Sequence, residues 1–240
     1  LTLGDANTDS STFTGGITAT EPSGITLAGT IETDGNAISI GDGDTAITLA
    51  ANTIVDGNTA GDITLAGAID GGYSLTLNTT GTTTLSGEIG GSTALTTLTT
   101  NANGTTVIIA DITTSSTQTY NDAVTFNGTL DFTGSTVQFV STLAGNDGTG
   151  DNLTISGALD LDGAATSLTT LDVEGASNLG ANVTSSGTQT YTGAVTLSGA
   201  ARTLTTAGSA VTFSNTVNGA QDLTVDTTNS GGSSAATVQF

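Results

Sequence analysis

The chain has 240 residues, with 22 carboxylates against a single basic residue, Arg202, and a net charge of −21. Phosphate and anionic-lipid contacts rest on Lys and Arg, so this balance excludes nucleic acid and anionic membrane surfaces as direct partners. Only 10% of residues are charged while 35% are hydrophobic, which separates the chain from disordered polymers and predicts a thin, repeated aliphatic core.

Strand signals run the length of the chain. Ile25-Thr26-Leu27, Ile38-Ser39-Ile40, Ile47-Thr48-Leu49, Ile63-Thr64-Leu65 and Leu75-Thr76-Leu77 alternate apolar and polar residues. Val107-Ile108-Ile109, Leu130-Asp131-Phe132, Leu159-Asp160-Leu161 and Leu223-Thr224-Val225 continue the series. A period of two puts one face inside and one outside, and the branched side chain of Thr suits the outer, pleated face. Asp34-Gly35-Asn36, Asp56-Gly57-Asn58, Asn103-Gly104 and Asn127-Gly128 supply the turns between strands. No sustained helical spacing of three and four is present, and no apolar run approaches the roughly 18 residues of a membrane span.

Spacing decides what these strands build. Ile25 and Ile47 lie 22 residues apart, as do Ile63, Leu85 and Val107, and again Val173, Val195 and Val217. An interval of about 20 to 22 residues is one coil of a β-solenoid, in which short parallel strands stack about 4.8 Å apart. The fold expected is therefore all-β, a parallel β-helix of about eleven coils and on the order of 50 Å long. The alternative is a row of tandem β-sandwiches, suggested by the 71-residue step between Tyr120 and Tyr191. Nine Phe and Tyr in all favour the thinner solenoid core.

Self-similarity is strongest in the second half. Ser115-Ser116-Thr117-Gln118-Thr119-Tyr120 returns as Ser185-Ser186-Gly187-Thr188-Gln189-Thr190-Tyr191, and Ser135–Phe139 returns as Ser209–Phe213. Asn152-Leu153-Thr154-Ile155 matches Asp222-Leu223-Thr224-Val225, and Ala236–Phe240 is a third partial copy. The organisation expected is one continuous solenoid over 1–240, with loosely periodic coils over 1–112 and a longer duplicated unit over 113–240. The absence of an initiator Met and of a signal peptide leads us to expect a mature or excised piece of a longer chain. Strand-like sequences at both ends lead us to expect head-to-tail self-association or continuation into a longer polypeptide.

The stretch Gly61-Asp62-Ile63-Thr64-Leu65-Ala66-Gly67-Ala68-Ile69-Asp70-Gly71-Gly72, followed by Leu75-Thr76-Leu77, resembles the β-strand repeats of autotransporter passengers and of filamentous-haemagglutinin-like bacterial exoproteins. Thr82–Gly91 carries the same likeness, and Thr190-Tyr191-Thr192-Gly193 is similar to a turn common in those repeats. The usual lysines of those passengers are missing here. The resemblance implies a right-handed β-helix, extracellular and on the bacterial cell surface, serving as filament, stalk or adhesin. Its partners would be a host or neighbouring cell surface. It brings no catalytic residue with it.

Chemistry is sparse. Asp160 with Asp162 and Asp172 with Glu174 each share a strand face, but an acidic polysaccharide would be repelled and no aromatic platform accompanies them. The expectation is no enzyme, with a neutral-glycan hydrolase as the weakest alternative. Calcium is the one cofactor candidate, at Asp42 and Asp44 in Gly41-Asp42-Gly43-Asp44 and at Asp147 and Asp151 in Gly145–Asp151. Neither stretch fits the calcium nonapeptide, and solvated Asp-Gly turns are the simpler reading. Thr82-Thr83-Thr84, Thr96-Thr97 and Thr99-Thr100 raise an ice-binding alternative, which requires them to align on one flat face. Asn78, Asn103, Asn127, Asn152 and Asn182 head glycosylation triplets. The function expected is a non-enzymatic extracellular structural or adhesive repeat protein.

Overall fold

The computed structural model describes residues 1–19, 23–228 and 236–239. Strand is the only regular structure in them, with no helix among the described residues. The strands pair in parallel and make about 11 coils of a β-solenoid. Parallel pairing removes the sandwich alternative, whose sheets are antiparallel. The chain divides into two compact units, Leu1–Val124 and Thr125–Phe240.

In the first unit a coil has three short sides. Ile25–Thr33 supplies two of them, bent where its register shifts between Leu27 and Gly29, and Ile38–Ile40 supplies the third. Alternation along each side sends every second residue inward, where it stacks on its equivalent in the next coil. Ile25, Ile47, Ile69, Ile89 and Ile112 form one such column. Ile31, Val55, Leu77, Thr100 and Tyr120 form a second, and Ala19, Ile40, Leu65, Leu85 and Ile108 a third. Each buried Ile or Leu contributes about 1.5–3 kcal/mol of transfer free energy, so stability comes from repetition of small terms.

Two sequence expectations are corrected here. Leu85 stacks on Leu65 and Ile108, not on Ile63, and Val107 faces outward beside Thr84. Threonine is also not confined to the outside: Thr33, Thr53, Thr79, Thr83, Thr100 and Thr106 are buried. Thr has nearly the shape of Val, which is all that places Thr83 and Thr100, whose hydroxyls have no hydrogen-bond partner among the described residues, while Thr106 Oγ1 donates to Asp122 Oδ2 at 3.3 Å. At the other three, near corners, the hydroxyl supplies a donor to a carbonyl that the ladder leaves unpaired. Thr33 Oγ1 donates to Asn36 O at 2.6 Å, Thr53 Oγ1 to Ala51 O at 3.0 Å, and Thr79 Oγ1 to Gly61 O at 2.7 Å.

The second unit repeats the scheme with larger side chains. Leu130, Leu153, Leu171, Gln189 and Val211 stack in one inward column, and Phe132, Ile155, Val173, Tyr191 and Phe213 in the next. Val137, Leu159, Ser177, Val195 and Val217 form a third column, which shows that Val173 belongs elsewhere than the 22-residue spacing suggested. Tyr191 and Phe213 lie with ring centroids 5.4 Å apart and rings 13° from parallel. Val238 continues on Val211, and Phe240 lies outside the described residues. Ser135–Phe139 and Ser209–Phe213, alike in sequence, occupy different sides of the coil: Val137 pairs with Leu159, whereas Val211 pairs with Gln189. The similarity is therefore one of strand type, repeated side by side as well as coil by coil.

Arg202, the lone cation, spends its guanidinium on backbone carbonyls. Nε donates to Leu179 O at 3.2 Å, Nη1 to Ala201 O at 3.2 Å, and Nη2 to Ser198 O. Its strand, Arg202–Thr206, is paired on both edges, with Leu204 between Val183 and Val225. A protease must draw an extended segment into its cleft, which requires breaking both ladders. We expect native protein to survive trypsin for as long as it stays folded, with cleavage after Arg202 appearing on gel electrophoresis only as denaturant opens the unit. Rapid native cleavage would contradict this pairing.

Candidate functional site

The motif written twice in the sequence builds an interior polar pair. Gln118 and Tyr120 in Thr117–Tyr120, and Gln189 and Tyr191 in Gln189–Tyr191, are all fully buried. The i, i+2 spacing puts both side chains on the inner face, where Tyr120 Oη donates to Gln118 Oε1 at 2.9 Å and Tyr191 Oη to Gln189 Oε1 at 3.2 Å. Each amide then donates onward. Gln118 Nε2 reaches Ile112 O at 3.1 Å, and Gln189 Nε2 reaches Ser185 Oγ at 3.1 Å and Thr205 O at 2.9 Å. Burial holds both phenols above their ordinary pKa, so neither ionises as a nucleophile or base in the neutral range. The pair ties one side of the coil to the next. Tyr191 thus sits inside a strand, where the sequence had it in a turn.

The four calcium candidates fall at two separate turns. Asp42 Oδ1 accepts from Thr45 Oγ1 at 2.6 Å and from Asp44 N–H at 3.2 Å, and the Thr45 hydroxyl and these amides hold its carboxyl below the ordinary range. Asp44 is exposed. Asp147 Oδ1 accepts from Thr149 N–H at 2.8 Å. Asp151 is fully buried; its Oδ1 accepts from Gly128 N–H at 3.0 Å, and its Oδ2 from Asp147 N–H at 3.1 Å and Gly148 N–H at 3.0 Å. These bonds wrap each turn around its own carboxylate, and Gly128 ties Asp151 to the preceding coil as well. Among the described residues no three Asp or Glu gather as a metal-ligand group.

The Asp151 turn edges a groove of about 400 Å³, lined among others by Asp147, Ser167, Leu168, Thr184, Ser186 and Ala207. Two local features shape it. Ser167 has φ +54°, and the register of Ala165–Leu168 against Val183–Ser185 shifts between Ala165 and Leu168, so the strand bulges there. The groove offers hydroxyls and one carboxylate over a small apolar floor.

Sequence reasoning missed Asp122, which is 1% exposed and accepts from Gly104 N–H at 2.7 Å and Thr106 Oγ1 at 3.3 Å. Burial pushes its carboxyl above the ordinary value of 3.8, against the pull of those two donors. Asp151 balances the other way. Burial pushes it up, but amides from Gly128, Asp147, Gly148 and Asn146 together hold it below 3.8. The linkage signs are therefore opposite. The Asp151 contribution to stability is present above 3.8 and is lost as pH falls through its lowered folded pKa. The Asp122 contribution is full below 3.8 and is lost as pH rises through its raised folded pKa. Melting curves of Asp151→Asn and Asp122→Asn against pH should show this. The penalty of Asp151→Asn shrinks below pH 3.8, while Asp122→Asn gains on the parent as pH rises above it. Parallel pH profiles for both variants and the parent would refute the assignment.

The threonine runs do not share a face. Thr82–Leu85 pairs with Ile63–Leu65 and Thr105–Ile108, whereas Leu98–Thr100 pairs with Leu75–Thr79 and Thr117–Tyr120 on another side, and Thr83 and Thr100 point inward. The outward faces are mixed columns instead, for example Asp131, Thr154, Asp172, Thr190 and Thr212. Gln138, Asp160 and Asn178 form another, in which Gln138 Nε2 donates to Asp160 Oδ2 at 3.0 Å and Asn178 Nδ2 to Asp160 Oδ1 at 2.7 Å. Asp160 is thus engaged in a ladder along the coils. In the same unit burial, and then the charge of Glu174, push the carboxyl of Asp172 up. Compared with family models, curated proteins and solved structures, the chain matches none of them.

Proposed function

We propose that the chain is a segment of a non-enzymatic structural and adhesive protein displayed outside a bacterial cell. The observation that carries this reading is the division of labour along the described coils. The interior is filled by stacked, mostly apolar columns, while outward faces present short polar side chains in register from coil to coil, as in Asp131, Thr154, Asp172, Thr190 and Thr212. Such a surface is laid out by the backbone at a fixed spacing, which suits repeated weak contacts along a length better than a single concave site. The acidic, Lys-free composition and the likeness to passenger repeats support an extracellular setting.

Antibody labelling of intact cells, with electron microscopy of the native material, tests both halves of the proposal. Surface label on extended structures is the expected result. Label appearing only after permeabilisation would overturn the extracellular reading, and compact single particles would overturn the structural one.

A further inference from the structure

We propose that the fold carries two carboxylate clamps, Asp122 and Asp151, which keep the exposed Asn103-Gly104 and Asn127-Gly128 pairs from converting to succinimide. An asparagine followed by glycine is the pair most open to this reaction, because no β-carbon hinders the attacking nitrogen. The glycine nitrogen bonds to the asparagine Cγ, the C–NH2 bond breaks, and ammonia leaves with the proton given up by the glycine amide. Water then opens the imide to aspartate or isoaspartate, and isoaspartate adds a carbon to the main chain in the short turn that leads into the strand Thr105–Ile108 or Thr129–Phe139.

The solenoid cannot choose a different residue at either glycine. A β-carbon on Gly104 would lie 2.7 Å from Gly81 O and 2.8 Å from Thr79 O, and Gly128 has φ +96°. Both asparagines are exposed, and Asn103 sits at φ +81°. The same device appears at both places. Gly104 N–H donates to Asp122 Oδ1 at 2.7 Å and Gly128 N–H to Asp151 Oδ1 at 3.0 Å, from carboxylates that are 1% and 0% exposed. A charge-assisted bond into the interior fixes the peptide plane and points the amide away from the outward asparagine side chain. To reach Cγ, the nitrogen must give up that bond and turn.

Asn218-Gly219 is the internal comparison. Asn218 is exposed, with its side-chain amide on Thr216 Oγ1 at 3.2 Å, and among the described residues no carboxylate holds the Gly219 amide.

The test is peptide mass spectrometry of the whole purified chain after incubation at mildly alkaline pH, native and in urea. In the folded protein Asn103 and Asn127 should convert roughly tenfold or more slowly than Asn218, the rate equivalent of one charge-assisted hydrogen bond. In urea the three should converge. Asp122→Val removes the acceptor and should raise conversion at Asn103 while leaving Asn127 slow. Asp122→Asn keeps a carbonyl oxygen at that place without the charge, and its Asn103 rate should fall between those of the parent and Asp122→Val. Conversion of native Asn103 and Asn127 as fast as in urea would overturn the proposal. So would an unchanged Asn103 rate in an Asp122→Val protein with parental circular dichroism. The native–urea comparison stands without any variant, should Asp122→Val not fold.

Discussion

Val195→Asp is expected to cost about 4 kcal/mol or more and to abolish the cooperative melt of the second unit near room temperature. Val195 is fully buried in the column between Ser177 and Val217, in a coil whose other inward residues are apolar or already committed. A carboxylate there would meet one hydroxyl donor, Ser177 Oγ, and no cation, since Arg202 has its guanidinium on the carbonyls of Leu179, Ser198 and Ala201. Thr196→Asp is the matched control. It adds the same charge one residue on, at an exposed position on the outer face between Asn178 and Asn218, and should shift stability by no more than about 0.5 kcal/mol. Thermal melts followed by circular dichroism compare the two directly. Equal effects would mean that the inward assignment of this strand is wrong.

How much of this was legible in the sequence depends on the range of the signal. Inward and outward alternation is local, and Ile25, Leu27, Ile38, Ile40, Ile47 and Leu49 were all placed inside from two-residue periodicity alone. The 22-residue step from Ile25 to Ile47 also holds in the register. It fails later because the corners take loops of different length: Leu153, Leu171 and Gln189 follow one another at 18 residues, and Val211 comes 22 further on. A signal for the shorter step was present in Ser156-Gly157-Ala158, Glu174-Gly175-Ala176 and Thr192-Gly193-Ala194, where small residues recur at the tight coil length.

Buried carboxylates were not legible at all. Asp122 and Asp151 look like any other turn aspartates, because the amides that hold them, Gly104 and Gly128, belong to neighbouring coils 18 and 23 residues away. The calcium reading had the same weakness. It took oxygen ligands from composition, while the fold assigns Asp42 to a hydroxyl and an amide of its own turn, and Asp151 to two amides of its own turn besides that of Gly128. Buried threonines escaped for a different reason, since Thr fits a strand equally well on either face: at Thr33, Thr53 and Thr79 a nearby carbonyl takes the hydroxyl, while Thr83 and Thr100 are held by shape alone.

The close approach of successive coils at this corner depends on those glycines, and Gly175→Ala should cost about 3 kcal/mol as a consequence. Gly157, Gly175 and Gly193 stack at one corner, where Gly175 N–H donates to Gly157 O at 2.9 Å. A β-carbon on Gly175 would collide with the Gly157 carbonyl and approach Ala158 N to 2.7 Å, and one on Gly193 would collide in the same way with Gly175. All of these partners are backbone, so no side chain can swing aside. Relief requires the coils to part along a corner that also starts the strand Ser177–Leu179, whose outward Asn178 joins the Asp160 ladder. Gly72→Ala gives the comparison, because a β-carbon there meets no atom within 4 Å. It should leave stability unchanged or raise it by up to about 1 kcal/mol, through the lower entropy of the unfolded chain. Urea titrations of the two variants separate close approach from the general cost of replacing glycine. A midpoint shift in Gly175→Ala no larger than that in Gly72→Ala would mean that the corner has room for a β-carbon and that the approach of the coils there does not depend on glycine.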